Sequence, residues 1–259
     1  MQAPLRPGKA NLSLVAHYGD KPPEIDALIR DAQEILQEEL PLAFRKYDIR
    51  QVHATLISLE GHRTGNVIIN ANYTRFCHER RAIDFKKAFK LLAKSDFLPF
   101  AVRIGGYREH SDYPFTSRGT HPYQRSFSTQ GDIAVAMGWP CDGKDYPPVL
   151  DRLRRAFNSA NILHKYHRTT DDTDNDFYFV LGNIILENTS HATLQNAHAR
   201  MLEFLSCRDP LVVTVAREHL RIIAYTDPKV PPDTTRSYAL DEAEAKLDEI
   251  KSLYRDTAT

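Results

Sequence analysis

Residues 51–60 read QVHATLISLE. Branched and apolar residues run from Val52 to Leu59 without a helical period, which predicts a strand covered on both faces. Side chains alternate along a strand, so His53 and Thr55 share one side while Ala54 and Leu56 pack on the other. An imidazole that moves protons near neutral pH, next to a hydroxyl that donates to a phosphate oxygen, could serve a phosphodiester. The same pair also describes a polar strand edge or a satisfied buried contact, and its surroundings have to decide. The letters HATL return at residues 191–194, in NTSHATLQNA. There Asn188, Thr189 and Ser190 are N-cap residues, and Leu194, Ala197, Met201, Phe204 and Leu205 recur at helical spacing. On a helix, positions i and i+2 diverge, so His191 reads as a helix-start residue and not as a second copy of the pair.

Working outward, NLSLVAHY (11–18) predicts a strand that ends at GDKPP, and Ile25, Leu28, Ile29, Ala32, Ile35 and Leu36 mark a helix. Beyond the central strand, Asp84 caps a helix marked by Phe85, Ala88, Phe89 and Leu92, and FAVRIGGY (100–107) is a strand. DIAVAMGW (132–139) and FYFVLGNIIL (177–186) predict strands around a helical face at Val149, Leu150, Leu153, Ala156, Phe157 and Ala160. LVVTVAREHLRIIAY (211–225) reads as one long strand, and Leu240 to Tyr254 as a final amphipathic helix. The order strand, Pro-containing break, helix, strand thus occurs at 11–59 and again at 132–186. Aligning Leu14 with Val135 sets the counterpart of His53 near residues 174–178. The expected fold class is α+β, with two pseudo-symmetric lobes of antiparallel sheets and outer helices around a central cleft. The whole chain is read as a single bilobal domain, with halves near 10–130 and 131–240 and a terminal helix at 240–255.

At 259 residues, 42% hydrophobic and 26% charged, the chain has enough apolar material for a sizeable core. Lys and Arg number 34 and so do Asp and Glu, so no global field draws it to long nucleic acid or an anionic membrane. An anionic ligand then needs a local site. No secretory or membrane-spanning run is evident, which makes a cytoplasmic location the expectation, and Cys77, Cys141 and Cys207 are too sparse for a disulfide frame or zinc site. Residues 105–130 have no clear period and mix Arg108, Arg118 and Arg125 with Tyr107, Tyr113, Phe115 and Tyr123. Such a loop could stack on a base beside a phosphate, or it could be a solvated hairpin around an aromatic cluster.

The element order and QVHATLISLEG together resemble the two-histidine (2H) phosphoesterase superfamily, which includes 2′-5′ RNA ligase-like and cyclic phosphodiesterase proteins. The resemblance runs over roughly residues 10 to 240. It implies two HxT motifs, one per lobe, whose histidines face one phosphate across the cleft as general acid and general base without a metal or other cofactor. The implied substrate is a cyclic phosphate of a nucleotide or RNA end, with His53 as one catalytic group and Thr55 on the phosphate. The alternative is a non-catalytic relative that binds such an end without hydrolysing it. The chain departs from the family at the second motif, where Tyr178-Phe179-Val180-Leu181-Gly182 sets Tyr for His and Val for Thr. A phenol donates a proton but is a poor base at neutral pH. His219 is the other candidate, since a strand at 211–225 would set it beside Arg221 on one face, although a surface edge strand accounts equally for those charges. Substrate contacts are expected from Arg221, Arg118, Arg125 and Tyr123. No metal site is expected: HKYH (164–167) reads as a solvated helix end, and TDDTDND (170–176) as an acidic loop without the Gly and Glu of a calcium loop.

Overall fold

The computed structural model describes residues 10–93 and 97–256. In chain order its strands are β1 (Asn11–Ala16), β2 (Phe44–Lys46), β3 (Ala54–Ser58), β4 (Gly61–Thr64), β5 (Val67–Asn70), β6 (Phe100–Ile104), β7 (Phe127–Gln130), β8 (Ile133–Cys141), β9 (Phe177–Ile184), β10 (Leu211–Val215), β11 (Leu220–Tyr225), β12 (Arg236–Ala239) and β13 (Arg255–Asp256). One sheet runs β12-β11-β1-β3 and a second runs β10-β6-β8-β9-β2, with β7 also on β8; all these pairings are antiparallel. This is the mixed α+β, two-lobed architecture expected from the repeat. The pairs β1–β3 and β8–β9 are the equivalent parts.

The sheets are not the two halves of the sequence. Strands β2, β6 and β7 come from the first half and lie in the second sheet, and β11 and β12 return to the first. The run 211–225 supplies one strand to each sheet and is therefore not one strand. A 3₁₀ turn at Arg217–His219 separates β10, on β6, from β11, on β1. Alternation alone could not reveal the break, because both pieces are apolar and β-branched. Likewise the final helix divides into α6 (Leu240–Ala245) and α7 (Leu247–Leu253).

Helix α1 (Pro23–Glu39) starts where Pro22 and Pro23 fix the entry, and buries Ile25, Leu28, Ile29, Ala32 and Leu36. Helices α2 (Phe85–Ala93) and α3 (Pro122–Arg125) follow, and α4 (Val149–Ala156) holds the place corresponding to α1, between β8 and β9, burying Leu150 and Leu153. Helix α5 (His191–Cys207) begins at Ser190, whose hydroxyl accepts from Thr193 N–H at 3.1 Å, so the second HATL is a helix start. These helices, with the buried side chains of both sheets, form one core that spans both lobes. Among the described residues no helix is long and apolar enough to cross a membrane.

Between the lobes, β3 and β9 run side by side without pairing. Arg154 of α4 fills the seam. Its guanidinium donates to Leu56 O (2.8 Å) and Thr55 O (3.1 Å) on one side, and to Asp174 O (2.8 Å) and Asp176 O (3.1 Å) on the other. It also pairs with the Asp174 carboxylate at 3.1 Å while only 1% exposed. Five donors in a planar fork suit this bridging role, which an ammonium could not fill.

Candidate functional site

Each lobe carries the same irregularity. In β1–β3 the register shifts between Leu14 and Val15, after which Val15 pairs with Thr55 and Ala16 with Ala54. In β8–β9 it shifts between Ala134 and Val135, after which Val135 pairs with Val180 and Met137 with Tyr178. Thr55 and Val180 are thus equivalent, and two positions earlier so are His53 and Tyr178. Ala54 and Leu56, like Phe177, Phe179 and Leu181, enter the common core, so Thr55, Tyr178 and Val180 look to the opposite faces of their sheets.

His53 precedes β3 and is half-buried beside the edge of Tyr18, ring centroids 5.8 Å apart. Its Nδ1 lies 2.8 Å from Gln51 O. A carbonyl only accepts, so Nδ1 carries the proton and Nε2 keeps its lone pair in the neutral ring. Burial lowers the imidazole pKa to about 4; the Gln51 contact opposes the shift and Lys21 adds to it. At neutral pH His53 is therefore an unprotonated base. On the same face, Arg221 and Thr55 both pair with Val15, forming one row across three strands. Among the described residues the Arg221 guanidinium makes a single hydrogen bond, to its neighbour Leu220 O at 3.4 Å.

Tyr178 is half-buried, and burial raises its pKa against the pull of Lys165 and Arg154. Its hydroxyl stays protonated and can donate but not abstract a proton at neutral pH. Tyr225, whose hydroxyl lies 3.2 Å from Ser13 Oγ, is close enough for the two phenols to act on each other electrostatically.

His219 does not stand with Arg221. It ends the 3₁₀ turn, its Nδ1 accepts from Ala216 N–H at 3.2 Å, and its ring lies 4.9 Å from that of His17. His17 is buried at φ +59° and packs against the core-facing rings of Phe177 and Phe179. The strand face expected to join His219 and Arg221 is absent because His219 is still within the 3₁₀ turn, where strand alternation does not hold.

Within residues 105–130 the rings pack on one another. Tyr107 is fully buried, 5.0 Å from Trp139 and 5.3 Å from Tyr113, and Phe115 stacks 4.4 Å from Tyr146. Together with Val135 and Met137, and with Tyr123, Tyr178 and Val180 at its margin, they form a small second core on the outer face of the second sheet. Arg125 donates to Asp176 at 3.0 Å, and Arg118 reaches Asp174 and Asp176 at 3.4 Å each. Both guanidinium groups are thus paired with buried carboxylates, which they share with Arg154, and the rings of the loop pack as a cluster.

Those carboxylates belong to the acidic loop at 170–176, whose last acidic residues are turned inward. Asp174 and Asp176 are buried, and HKYH is not a solvated end: His164 Nε2 meets Asp174 at 2.7 Å and His167 Nε2 meets Asp151 at 2.8 Å. Burial lowers the His164 pKa to about 4. Burial pushes Asp174 upward, but Arg154, His164 and Arg118 together hold it well below the usual carboxylate range. One signal for this network stood in the sequence. Arg154 falls on the same helical stripe as Leu150, Leu153 and Phe157, so an arginine there had to be buried and bridged. No group of three or more metal-ligating side chains was found among the described residues.

A cavity of about 570 Å³ opens beside Gly19–Lys21, the first turns of α1 and residues 46–50. Two others, each about 210 Å³, lie against Phe115, Trp139 and Tyr146 and against the β4–β5 turn. His53 lines none of these three.

No family model matches the chain, and no curated protein matches it. Among solved structures it is similar to TT0787 of Thermus thermophilus, with a TM-score of 0.42 and 14% sequence identity over 89% of this chain and 94% of that one.

Proposed function

We propose that the protein is a phosphodiesterase acting on the cyclic phosphate of a nucleotide or RNA end, with His53 as general base. The observation that carries this reading is the Gln51 contact, which fixes the proton on Nδ1 and leaves a basic Nε2 two residues before Thr55. Thr55 and Arg221 are the phosphate-holding candidates, as a hydroxyl and an uncommitted guanidinium in one row. In the reaction, Nε2 takes a proton from water, the oxygen attacks phosphorus, and one ester bond breaks as the departing sugar oxygen takes up a proton. Tyr178 is the register counterpart of His53, and a protonated phenol is suited to giving that proton. Its raised pKa makes it a weaker acid than an imidazolium, so turnover should be slow.

That same feature favours one further reading, a protein that binds the phosphate end and does not hydrolyse it. The test is hydrolysis of a panel of 2′,3′-cyclic nucleotides and cyclic-phosphate RNA ends, with EDTA present, by wild type and His53→Ala. Turnover that depends on His53 supports the enzyme. Binding without turnover, weakened by Thr55→Val or Arg221→Ala, supports the binder. Neither turnover nor binding removes both readings.

A further inference from the structure

The 570 Å³ cavity has charges on its wall that the half-site at His53 does not use. Four cations line it, Lys21, Arg30, Lys46 and Arg50, with Asp20, Asp26, Glu34 and Asp48. Arg30 is paired with Asp26 and Arg50 with Asp48. Lys46 is exposed to water. Lys21 differs from all of these. It is half-buried, it makes one hydrogen bond, to Gly19 O at 2.9 Å, and no carboxylate lies within ion-pair distance of it among the described residues. An ammonium has three N–H donors, so two are unused. Asp20, Glu34 and Asp48 are exposed, where water screens them, and burial outweighs the attraction of Asp26, Asp48 and Asp20 to lower the Lys21 pKa to about 8. A partly desolvated cation without a direct partner is a place where an anion gains more than it does in water.

The cavity adjoins the half-site. Gly19 N–H donates to Arg50 O at 2.8 Å, closing the wall, and the residue before Gly19 is Tyr18, whose ring edge meets His53. Lys21 acts electrostatically on the imidazoles of both His53 and His17. We infer that the Lys21 cavity takes a second phosphate of the substrate, so that the substrate is the cyclic-phosphate end of an oligoribonucleotide and not a mononucleotide. This inference rests on the phosphodiester reading of His53. The volume of the cavity is within the range of small-ligand sites, enough for a nucleotide-sized group.

The experiment compares adenosine 2′,3′-cyclic phosphate, with one phosphate, against a diadenosine ribodinucleotide ending in a 2′,3′-cyclic phosphate, with two. Wild type should prefer the dinucleotide in kcat/KM, and Lys21→Ala should cut that preference by about tenfold, mostly through KM, as expected for one lost charge-assisted contact. Lys21→Arg should retain most of it. Equal preference in wild type and Lys21→Ala overturns the inference while leaving His53-dependent turnover in place. If neither compound is hydrolysed, the enzyme reading fails and the same comparison is made by calorimetric titration. Tighter binding of the dinucleotide that is lost in Lys21→Ala then supports the second-phosphate site, and equal or absent binding overturns it.

Discussion

In β3 the residue paired just beyond the bulge is Thr55, with an imidazole two positions ahead; in β9 it is Val180, with a phenol two positions ahead. The two strands share the bulge and differ in what faces away from the core and in their neighbours, since β3 is the edge of its sheet and β9 lies between β8 and β2. What the pairing teaches is that a backbone site and its chemistry are separable. The geometry that would aim a second histidine is intact in β9, while the side chains there keep a protonated hydroxyl and an apolar methyl pair. The electrostatic surroundings differ as well. Lys21 acts on His53, whereas Tyr178 sits by Lys165 and by the Arg154–Asp174 seam.

The largest effect should come from cutting what holds the two strands together. Arg154→Ala would leave four carbonyls without this donor and the buried Asp174 carboxylate with only His164 and Arg118, and should cost about 3–5 kcal/mol or prevent folding, read by urea denaturation. Next is the asymmetry of the pair itself. His53→Ala should lower kcat by about 10²-fold or more, as for loss of a positioned base, and Tyr178→Phe by less. Tyr178→His with Val180→Thr, which gives β9 the pattern of β3, should raise kcat above wild type; no gain, with the fold intact by circular dichroism, would break the equivalence at the level of chemistry.

A smaller effect concerns acid. His17, His53 and His164 each bind a proton more weakly when folded, near pH 4, than when unfolded, near 6.5, because burial penalises the charged ring. Their contribution is complete above about pH 6.5 and is lost as pH falls toward 4, on the order of 1–3 kcal/mol per ring. Asp174, held low, gives up its share only at more acid pH. The urea midpoint should therefore fall between pH 6.5 and 4, and the acid limb of kcat/KM should lie near 4 if His53 is the base. A limb near 6.5 would mean that His53 is solvated in the working protein. Least affected should be the second HATL. His191 is exposed on the first turn of α5, so His191→Ala should change stability by less than about 0.5 kcal/mol and leave turnover unaltered.

Local periodicity and capping determined much of this protein from the chain alone. The apolar, branched run at 52–59 gave β3, the Pro-containing breaks and helical stripes gave α1 and α4, and Ser190 marked the helix that removes His191 from consideration. Those features depend on neighbours within a few residues. Tertiary structure alone decided where the charges went. Asp174, Asp176, His164 and His167 look solvated in a string of polar letters, yet each is buried because its partner arrives from another element: Arg154 from α4, Arg118 and Arg125 from the 105–130 loop, Asp151 from α4. The same holds for His219, which left the Arg221 face when the chain turned from one sheet to the other. A period reports which side a residue takes, whereas burial of a charge requires a partner far along the chain, and only the folded structure brings the two together.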